Sequence, residues 1–244
     1  MPPSIDPSKI VVFTGSGISA ESGIATFRGT DGTWSRIDPL KVASTEAWET
    51  DPQAVLDFHN TRLQTIEAAQ PNAAHLALTQ LEKRFEVVII TQNIDNLHER
   101  AGSSQIVHLH GTALEVCATS PSETQEAIYR GYEPIRLGDT DDQARQLRPR
   151  VVWFGEAILH YEDAKKHIET AGRILTVGTS LTVFPAAALL RFARNRAEKI
   201  LIAHDVEALP FGFQFFKGNA TEWVPRIVKQ WIDTGPARIR EIAP

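Results

Sequence analysis

The chain has 244 residues, a net charge of −5 and a single cysteine, and these values exclude several classes of protein. The length suits one large α/β domain with a smaller inserted lobe. The negative charge gives no electrostatic case for nucleic acid, no apolar run is long enough to span a membrane, and no secretory signal is visible. Cys117 alone can form neither an internal disulfide nor a multi-cysteine zinc site, so we predict no metal site and a soluble, cytoplasmic protein. The oligomeric state stays open.

Apolar, β-branched runs alternate with helical patterns along the chain. The first run, residues 10–14, predicts a buried parallel strand, and residues 19–24 are expected to open the first helix with Ser19 as its cap. Further strands are predicted at residues 86–91, 106–110, 151–154, 174–177 and 199–203. Further helices are predicted at residues 51–69, 71–85, 161–171 and 184–196. This alternation predicts a doubly wound, Rossmann-like α/β fold: a parallel sheet with helices on both faces.

Two segments interrupt the alternation, at about residues 30–70 and 112–150. The first begins with a long irregular stretch in which Trp34 indicates a loop that packs against something, and the second shows no sustained periodicity. We expect the two segments to meet as a small lobe across one edge of the sheet. The Rossmann-like core then comprises the rest of a single domain, at about residues 1–29, 71–111 and 151–244.

A glycine-rich turn follows the first strand. Its sequence GSGISA, residues 15–20, fits the G-x-G-x-x-G/A turn in which the backbone approaches a pyrophosphate at a helix N-terminus. A tight strand-to-helix turn explains these residues almost as well. A hydride-transferring Rossmann domain would continue with a second strand that ends in an acidic residue, whereas residues 27–34 are loop-like. The sequence therefore predicts a dinucleotide site, but not a standard dehydrogenase.

Further polar clusters directly follow predicted strands: QNID at residues 92–95, His110 with Gly111, and GTS at residues 178–180. The carboxyl ends of parallel strands meet at one edge, so we expect a nucleotide pocket there. Amide and carboxylate groups suit a carboxamide and ribose hydroxyls, and a histidine suits a general base at neutral pH. Taken singly, a helix cap, a core histidine and an ordinary turn are competing explanations. Residues 154–156, FGE, suit strand addition by an extended peptide, or a simple turn.

Taken together, these motifs resemble the sirtuin family of NAD-dependent protein deacylases, most closely its bacterial, class III-like members. The matching segments, in family order and spacing, are TGSGISAESGI at residues 14–24, TFR at 26–28, DGTW at 31–34, QNIDNLH at 92–98, HG at 110–111, FGE at 154–156 and GTS at 178–180. They extend over nearly the whole chain. The resemblance implies that residues 1–244 are one sirtuin-type catalytic domain.

The resemblance also implies an activity: an NAD-dependent protein-lysine deacylase that uses an acyl-lysine protein or peptide and forms nicotinamide and O-acyl-ADP-ribose. The implied catalytic residues are His110, as the base that activates a ribose hydroxyl, with Asn93 and Asp95. The implied NAD-binding residues are Gly15, Ser16, Gly17, Ser19, Ala20, Phe27, Arg28, Trp34, Gln92, Asn93, Ile94, Asp95, Gly178, Thr179, Ser180 and Ala220. The implied substrate-binding residues are His59, Arg62, Phe154, Gly155 and Glu156.

The acyl pocket departs from the family pattern. Class III-like sirtuins recognise acidic acyl groups such as succinyl with a tyrosine and an arginine three residues apart on one helix face. Here Arg62 is kept, but His59 stands in the place of the tyrosine. Arginine grips carboxylates and histidine still donates a hydrogen bond, so desuccinylase or demalonylase activity joins deacetylase activity as an expectation. The alternative is that Arg62 is an ordinary solvated helix residue.

Three other positions differ from the family. The four zinc-binding cysteines expected in residues 112–150 are missing apart from Cys117, so the small lobe must be held by its own packing or by a ligand or partner. Ser16 replaces an alanine between the two glycines. Residues 203–205, AHD, replace an asparagine that contacts the adenine ribose.

These departures keep two other functions open. One is an NAD glycohydrolase or ADP-ribosyltransferase, which keeps the cofactor site and changes the reaction. The other is a non-catalytic sensor of NAD or ADP-ribose, although a sensor has little need for His110, Asn93 and Asp95 together. Whether nicotinamide release requires an acyl-lysine peptide separates these functions from deacylation.

Overall fold

Strands and helices alternate along most of the chain. The computed structural model describes residues 3–27, 32–118 and 127–238. The described strands are β1 (Asp6–Thr14), β2 (Glu86–Thr91), β3 (Ile106–His108), β4 (Gly111–Cys117), β5 (Ile128–Tyr129), β6 (Arg148–Val151), β7 (Ala171–Val177), β8 (Glu198–Ala203) and β9 (Gln214–Lys217). The described α-helices are α1 (Thr45–Thr50), α2 (Pro52–Ala68), α3 (Ala73–Leu81), α4 (Leu97–Ala101), α5 (Tyr161–Thr170) and α6 (Ala220–Thr234). Short 3-10 helices cover Ser16–Ile18, Ala20–Ser22, Thr33–Ser35, Pro39–Lys41 and Ala186–Phe192.

Six strands form one parallel sheet in the order β3-β2-β1-β7-β8-β9. From β1 the chain adds β2 and β3 toward one edge of the sheet. From β7 it adds β8 and β9 toward the other edge, so the direction of the chain across the sheet reverses between β1 and β7. Open α/β sheets bind ligands in the crevice at such a switch point. The predicted doubly wound, Rossmann-like fold is confirmed, and the loops after Thr14 and Val177 lie side by side at the switch point.

Both faces of the sheet are buried because successive residues of each central strand point to opposite cores. Ile10 and Val12 pack in a core that contains residues of α3 and α6. Val11 and Phe13 pack in a second core, with α5 and the 3-10 helix Ala186–Phe192. Because each strand is buried on both sides, the sheet forms a rigid platform for the loops at its carboxyl edge.

A second, antiparallel sheet of order β5-β4-β6 lies beside α2. Leu56 of α2 packs in one apolar cluster with Val116, Ile135 and Leu147. The side chain of Asn60 also binds Ile135 twice: Nδ2 donates to the carbonyl oxygen at 2.9 Å, and Oδ1 accepts from the backbone N–H at 3.0 Å. These contacts join the segments at about residues 30–70 and 112–150, which interrupt the alternation of strands and helices. The exact boundaries of a core and a small lobe stay a prediction.

Two predicted helices differ in type. The helix predicted at residues 19–24 is wrong: a first 3-10 turn over Ser16–Ile18 precedes it, a second over Ala20–Ser22 takes its place, and Ser19 makes no side-chain cap. The second turn ends at Gly23, whose φ of +89° stops any continuation. The helix predicted at residues 184–196 is a 3-10 helix over Ala186–Phe192. The helices predicted at residues 51–69, 71–85 and 161–171 are confirmed as α2, α3 and α5, with Asp51 and Asn72 as N-caps of the first two.

The strand predicted at residues 151–154 is wrong as a member of the parallel sheet. The actual strand, β6, ends at Val151 and pairs with Gly111 of β4 in the antiparallel sheet. Strand β9, which was not predicted from the sequence, completes the parallel sheet instead. The strand predicted at residues 106–110 ends at His108, because Gly111, with φ +72°, turns the chain into β4. Within the described residues, no helix is both long and apolar enough to cross a membrane.

Candidate functional site

The turns after β1 and β7 pack directly against each other at the switch point. The backbone N–H of Gly15 donates to Val177 at 3.0 Å, and that of Gly17 donates to Gly178 at 2.8 Å. A Cβ on Gly17 would lie 2.7 Å from the Cα of Gly178, and a Cβ on Gly178 would lie 2.3 Å from the nitrogen of Ile18. Contact between the two turns therefore requires these glycines, so the tight-turn explanation holds. Phosphate binding by the same turns stays a prediction.

The loop after β7 is tied to the loop after β2. Gln92 Nε2 donates to Thr179 Oγ1 at 3.2 Å, and the same oxygen accepts from the backbone N–H of Leu181 at 3.2 Å. Ser180 and Thr182 share a hydroxyl–hydroxyl contact of 2.8 Å. Residues from both halves of the sheet are thus held in one layer at the carboxyl edge, where the sequence predicts the nucleotide.

A buried hydrogen-bonded cluster joins the glycine turn to the QNID segment. Asn93 Nδ2 donates to the carbonyl oxygen of Gly15 at 3.2 Å and to Ser19 Oγ at 3.3 Å. Ser19 Oγ in turn donates to Asp95 Oδ2 at 3.0 Å. All three side chains are buried. The structure therefore brings Ser19 together with Asn93 and Asp95, which lie more than 70 positions further along the sequence.

Asp95 has a double role in this cluster. Its Oδ1 accepts from the backbone N–H of Leu97, the first residue of α4, at 3.1 Å, whereas the N-cap residue itself is Asn96, whose side chain makes no cap. Burial raises the pKa of Asp95, while the hydrogen bonds from Leu97 and Ser19 act in the opposite direction. The carboxyl group is thus held in a fixed orientation beneath the loops of the switch point.

His110 has one ring nitrogen engaged and one available. Nδ1 lies 2.9 Å from the carbonyl oxygen of Gln92, which can only accept, so Nδ1 carries the proton. Nε2 is then the basic nitrogen, and it has no hydrogen-bond partner among residues 3–27, 32–118 and 127–238. Burial lowers the pKa of His110, against the effect of the hydrogen bond to Gln92. The ring is therefore neutral at pH 7 and able to accept a proton.

A second histidine holds the next carbonyl of the same loop. His108 Nδ1 lies 3.0 Å from the carbonyl oxygen of Asn93, and Nε2 lies 2.6 Å from Glu99 Oε1. Burial disfavours the charged ring, but the hydrogen bond and charge of Glu99 outweigh this and raise the pKa of His108. Two histidines, two positions apart, thus fix two successive carbonyl groups of the QNID segment.

A cavity of about 210 Å³ opens beside His110 and is lined mainly by apolar and aromatic groups. Trp34 lines the cavity and contacts three other aromatic rings: its ring centroid is 5.1 Å from Phe27, 5.7 Å from Phe58 and 6.2 Å from Phe154. The predicted site residues that line the cavity are Phe27, Trp34, His59, Arg62, Gln92, Ile94, His110, Phe154, Gly155 and Glu156. The predicted residues that do not line it are Gly15, Ser16, Gly17, Ser19, Ala20, Asn93, Asp95, Gly178, Thr179, Ser180 and Ala220.

His59 and Arg62 both reach the cavity from α2. The Arg62 guanidinium lies 4.3 Å above the Phe27 ring, and Nη1 donates to Thr33 Oγ1 at 3.3 Å. Burial lowers the pKa of Arg62 to about 10, partly offset by the charge of Asp95, so the side chain stays charged. Burial, followed by the charge of Arg62, lowers the pKa of His59 to about 4. Arg62 is thus no solvated helix residue, and it stands beside a neutral histidine.

In the FGE segment, residues 154–156, the Phe154 backbone N–H and the Glu156 carboxylate already bind other residues of the chain. The backbone N–H of Phe154 already donates to Ala43 at 2.9 Å. Both Glu156 oxygens accept from Arg148, at 2.6 and 3.1 Å, and Oε2 also accepts from the backbone N–H of Trp153. The carboxylate of Glu156 therefore braces the turn after β6. The groups left exposed to a ligand are the Phe154 ring and Gly155.

The remaining predicted residues lie apart. Ala220 begins α6 and is buried against the apolar core next to Ile18. Asp205 is exposed and accepts from the backbone N–H of Val206 at 3.0 Å. Arg28 lies outside the described residues. Within the described part of the chain, no cluster of three or more His, Cys, Asp or Glu side chains is arranged to hold a metal ion.

Several residues of the cavity were missed from the sequence. Phe58 stacks on Trp34, and Ala43 holds the backbone of Phe154. The position of Phe58 next to His59 on a predicted helix offered a weak signal. Ala43 offered no signal, because it contributes only its backbone carbonyl oxygen. That oxygen becomes a hydrogen-bond acceptor for Phe154 only after the chain folds and brings the turn after β6 next to it.

The chain is similar in sequence and fold to proteins of one known family. The model of the Sir2 family matches residues 15–185. An NAD-dependent protein deacylase of Bacteroides thetaiotaomicron is 46% identical over 197 residues, covering 79% of this chain and 84% of the relative. One of Vibrio cholerae is 42% identical over 243 residues, covering 96% and 97%. A solved complex of a Sir2 homologue with NAD has a TM-score of 0.81 at 35% identity, covering 93% of this chain and 90% of the other.

Proposed function

The chain belongs to the Sir2 family, and on that premise we propose that it is an NAD-dependent protein-lysine deacylase. Its relatives in Bacteroides thetaiotaomicron and Vibrio cholerae are named NAD-dependent protein deacylases, and a structural neighbour binds NAD. The proposed substrates are NAD and an acyl-lysine protein or peptide. The proposed products are nicotinamide, the free lysine and O-acyl-ADP-ribose. We propose a cytoplasmic location, in keeping with the single cysteine.

One observation carries the proposal: His110 presents a neutral ring with a free basic Nε2 to the cavity. The proton on Nδ1 is fixed by the Gln92 carbonyl, so the base cannot switch tautomer without breaking this bond. Histidine in this state can take a proton from a ribose hydroxyl. A site that only bound NAD would have no need of a base held in this way.

The residues present fit NAD at the switch point. Asn93, Ser19 and Asp95 form a layer of donors and acceptors beside the cavity wall at Gln92 and Ile94. Such groups suit a carboxamide and ribose hydroxyls. When bound, NAD supplies a labile carbon–nitrogen bond to nicotinamide at a carbon that accepts the acyl oxygen. The chain's own residues orient the cofactor, exclude water through the aromatic cavity wall and hold the proton at His110.

The cavity also has the character of an acyl-lysine pocket. Its walls are apolar, which suits the four methylene groups of a lysine side chain, and Phe154 with Gly155 lies exposed at its wall for the substrate backbone. We propose that Phe154 and Gly155 contact the peptide, while Glu156 supports them through Arg148.

A second, finer proposal concerns the acyl group: the pocket accepts acidic acyl chains such as succinyl or malonyl as well as acetyl. The observation that favours it is the charged, largely buried Arg62, whose Nε lacks a hydrogen-bond partner within the described residues. His59 Nε2 is buried next to it, also without a partner there. Buried polar groups are stabilised when a ligand satisfies them, and arginine binds carboxylates bidentately.

The test measures nicotinamide release from NAD by the purified protein with no peptide, with an acetyl-lysine peptide and with a succinyl-lysine peptide. Release that depends on peptide is expected. The variant Arg62→Ala should lower succinyl turnover far more than acetyl turnover. The matched control is Arg84→Ala, an exposed arginine that binds the Ile232 carbonyl far from the cavity.

Each contrary outcome points to another function. Release without peptide would replace deacylation by NAD hydrolysis or ADP-ribosyl transfer. Binding of NAD without release in any mixture would indicate a sensor. Equal loss of acetyl and succinyl turnover in Arg62→Ala would overturn the acidic acyl preference and leave deacetylation standing.

A further inference from the structure

A buried polar network lies directly beneath the candidate site, and the proposed reaction does not use it. It consists of Thr14 at the end of β1, Thr91 at the end of β2 and His98 on α4, each with 0% exposure. Thr14 Oγ1 donates to Thr91 Oγ1 at 2.8 Å and lies 3.1 Å from His98 Nε2. Three fully buried polar groups on three elements need a reason to be there, because burial of polar groups is costly.

The direction of each hydrogen bond follows from the number of protons available. The Thr14 hydroxyl has one proton and gives it to Thr91, so at the contact with His98 the donor must be Nε2–H. Burial, with the charges of His75 and His108, lowers the pKa of His98 well below its ordinary value, so the ring is neutral with its proton on Nε2. The order of donation is therefore His98 to Thr14 to Thr91.

The end of this chain of hydrogen bonds is the backbone of Asn93. Its N–H donates to Thr91 Oγ1 at 3.0 Å, so Thr91 receives one proton from Thr14 and one from Asn93. The side chain of Asn93 then reaches Gly15 and Ser19. The orientation of the Thr91 oxygen thus determines where the loop leaves β2, directly at the residues proposed to face the cofactor.

We propose that His98 is a positioning residue for the deacylase reaction, acting through the Thr14 and Thr91 hydroxyls to hold Asn93 in place. The proposal rests on the proposed function. His98 contacts neither the cavity nor His110. Misplacement of reacting groups by about 1 Å costs on the order of 100-fold in rate, so loss of this support should lower kcat rather than weaken substrate binding.

The test compares Thr91→Val and His98→Leu with His98→Gln in the full-length protein. Valine matches threonine in shape but lacks the hydroxyl, and glutamine keeps an N–H donor near the place of Nε2. The matched control is Thr176→Val, because Thr176 on β7 is equally buried and its hydroxyl has no partner within the described residues. Thermal melting of every variant establishes that it is folded.

We expect Thr91→Val and His98→Leu to lower kcat for nicotinamide release by about 10- to 100-fold, with the KM for acyl peptide unchanged. His98→Gln should recover most of the loss, and Thr176→Val should behave as the wild type. A folded Thr91→Val with kcat within about twofold of the wild type would overturn the proposal. So would an equal loss in Thr176→Val.

Amide hydrogen exchange at Asn93 separates this proposal from the proposed function. If the wild type releases no nicotinamide with any peptide, the deacylase assignment fails, but the exchange experiment still decides about the network. Faster exchange at Asn93 in Thr91→Val and His98→Leu than in Thr176→Val would support positioning. Equal exchange in all three would overturn it.

Discussion

His110 is prepared for proton transfer by a single backbone contact. The Gln92 carbonyl holds Nδ1–H, which leaves Nε2 basic and directed to the cavity, and burial keeps the ring neutral. His108 differs although it is only two positions away, because Glu99 stabilises its charged form. The two rings lie on the same segment, yet their different surroundings shift their pKa values in opposite directions.

The first prediction concerns His110→Ala. We expect it to lower kcat for nicotinamide release by at least about 100-fold, within the range known for loss of a general base, while NAD affinity stays largely intact. Turnover by steady-state kinetics and affinity by calorimetry check this. His167→Ala, on α5 and outside the cavity lining, serves as control. Retained turnover in His110→Ala would remove this residue from the mechanism.

The pH dependence of the wild type follows from the same side chain. Since burial lowers the pKa of His110 below its ordinary 6.5, the neutral base forms as the pH rises through that lower value. The acid limb of kcat/KM should therefore lie below pH 6.5 and be absent from the residual activity of His110→Ala. An acid limb of kcat/KM centred above pH 6.5 would contradict the prediction that the His110 ring is neutral at pH 7.

At the scale of elements, β6 and the turn that follows it depend on a buried ion pair. Arg148 and Glu156 form a two-pronged contact with side-chain exposures of 4% and 6%, and the Arg148 guanidinium lies 3.2 Å over the Trp153 ring. The same carboxylate accepts from the Trp153 backbone. The Arg148–Glu156 ion pair therefore braces the turn that carries Phe154 and Gly155.

We expect Glu156→Gln to lower the free energy of unfolding by about 3–5 kcal/mol, because it leaves the Arg148 charge buried without its counterion. Denaturant titration measures this. The control is Glu162→Gln, which breaks the exposed pair with Lys165 and should cost no more than about 1 kcal/mol. Similar stability for the two variants would show that the buried pair does not brace the turn.

At the scale of the whole molecule, the switch point joins the two halves of the parallel sheet. The turns after β1 and β7 approach so closely that neither Gly17 nor Gly178 has room for a Cβ. Asn93 Nδ2 binds the first of these turns, donating to the Gly15 carbonyl oxygen and to Ser19 Oγ. We therefore expect both stability and NAD binding to depend on this interface between the halves.

Gly17→Ala should open this interface and thereby weaken both stability and NAD binding. Gly23→Ala is the matched control: its φ of +89° strains an alanine by about 1 kcal/mol, but no atom lies within 4 Å of the new Cβ. Thermal melting with and without NAD distinguishes the two, since only Gly17→Ala should lose stabilisation by the cofactor. Equal stabilisation by NAD in both variants would contradict a shared interface.

Local patterns in the sequence determined the main elements and where their polar ends meet. Apolar runs with β-branched residues predict β1, β2, β7 and β8, and parallel strands must bring their carboxyl ends to one edge, so His110 and the QNID segment were placed correctly at that edge. Family motifs then supplied the cofactor and the reaction. These features depend on neighbours within a few positions or on motif spacing, both of which a sequence contains.

Only the tertiary structure decided how those residues are used. The sheet to which β6 belongs, the partner of the Ser19 hydroxyl, the internal engagement of Glu156 and the tautomer of His110 each depend on a contact with a distant segment. Helix or strand propensity does not encode such contacts, because the free energy of a buried hydrogen bond or ion pair arises only once packing has removed both partners from water.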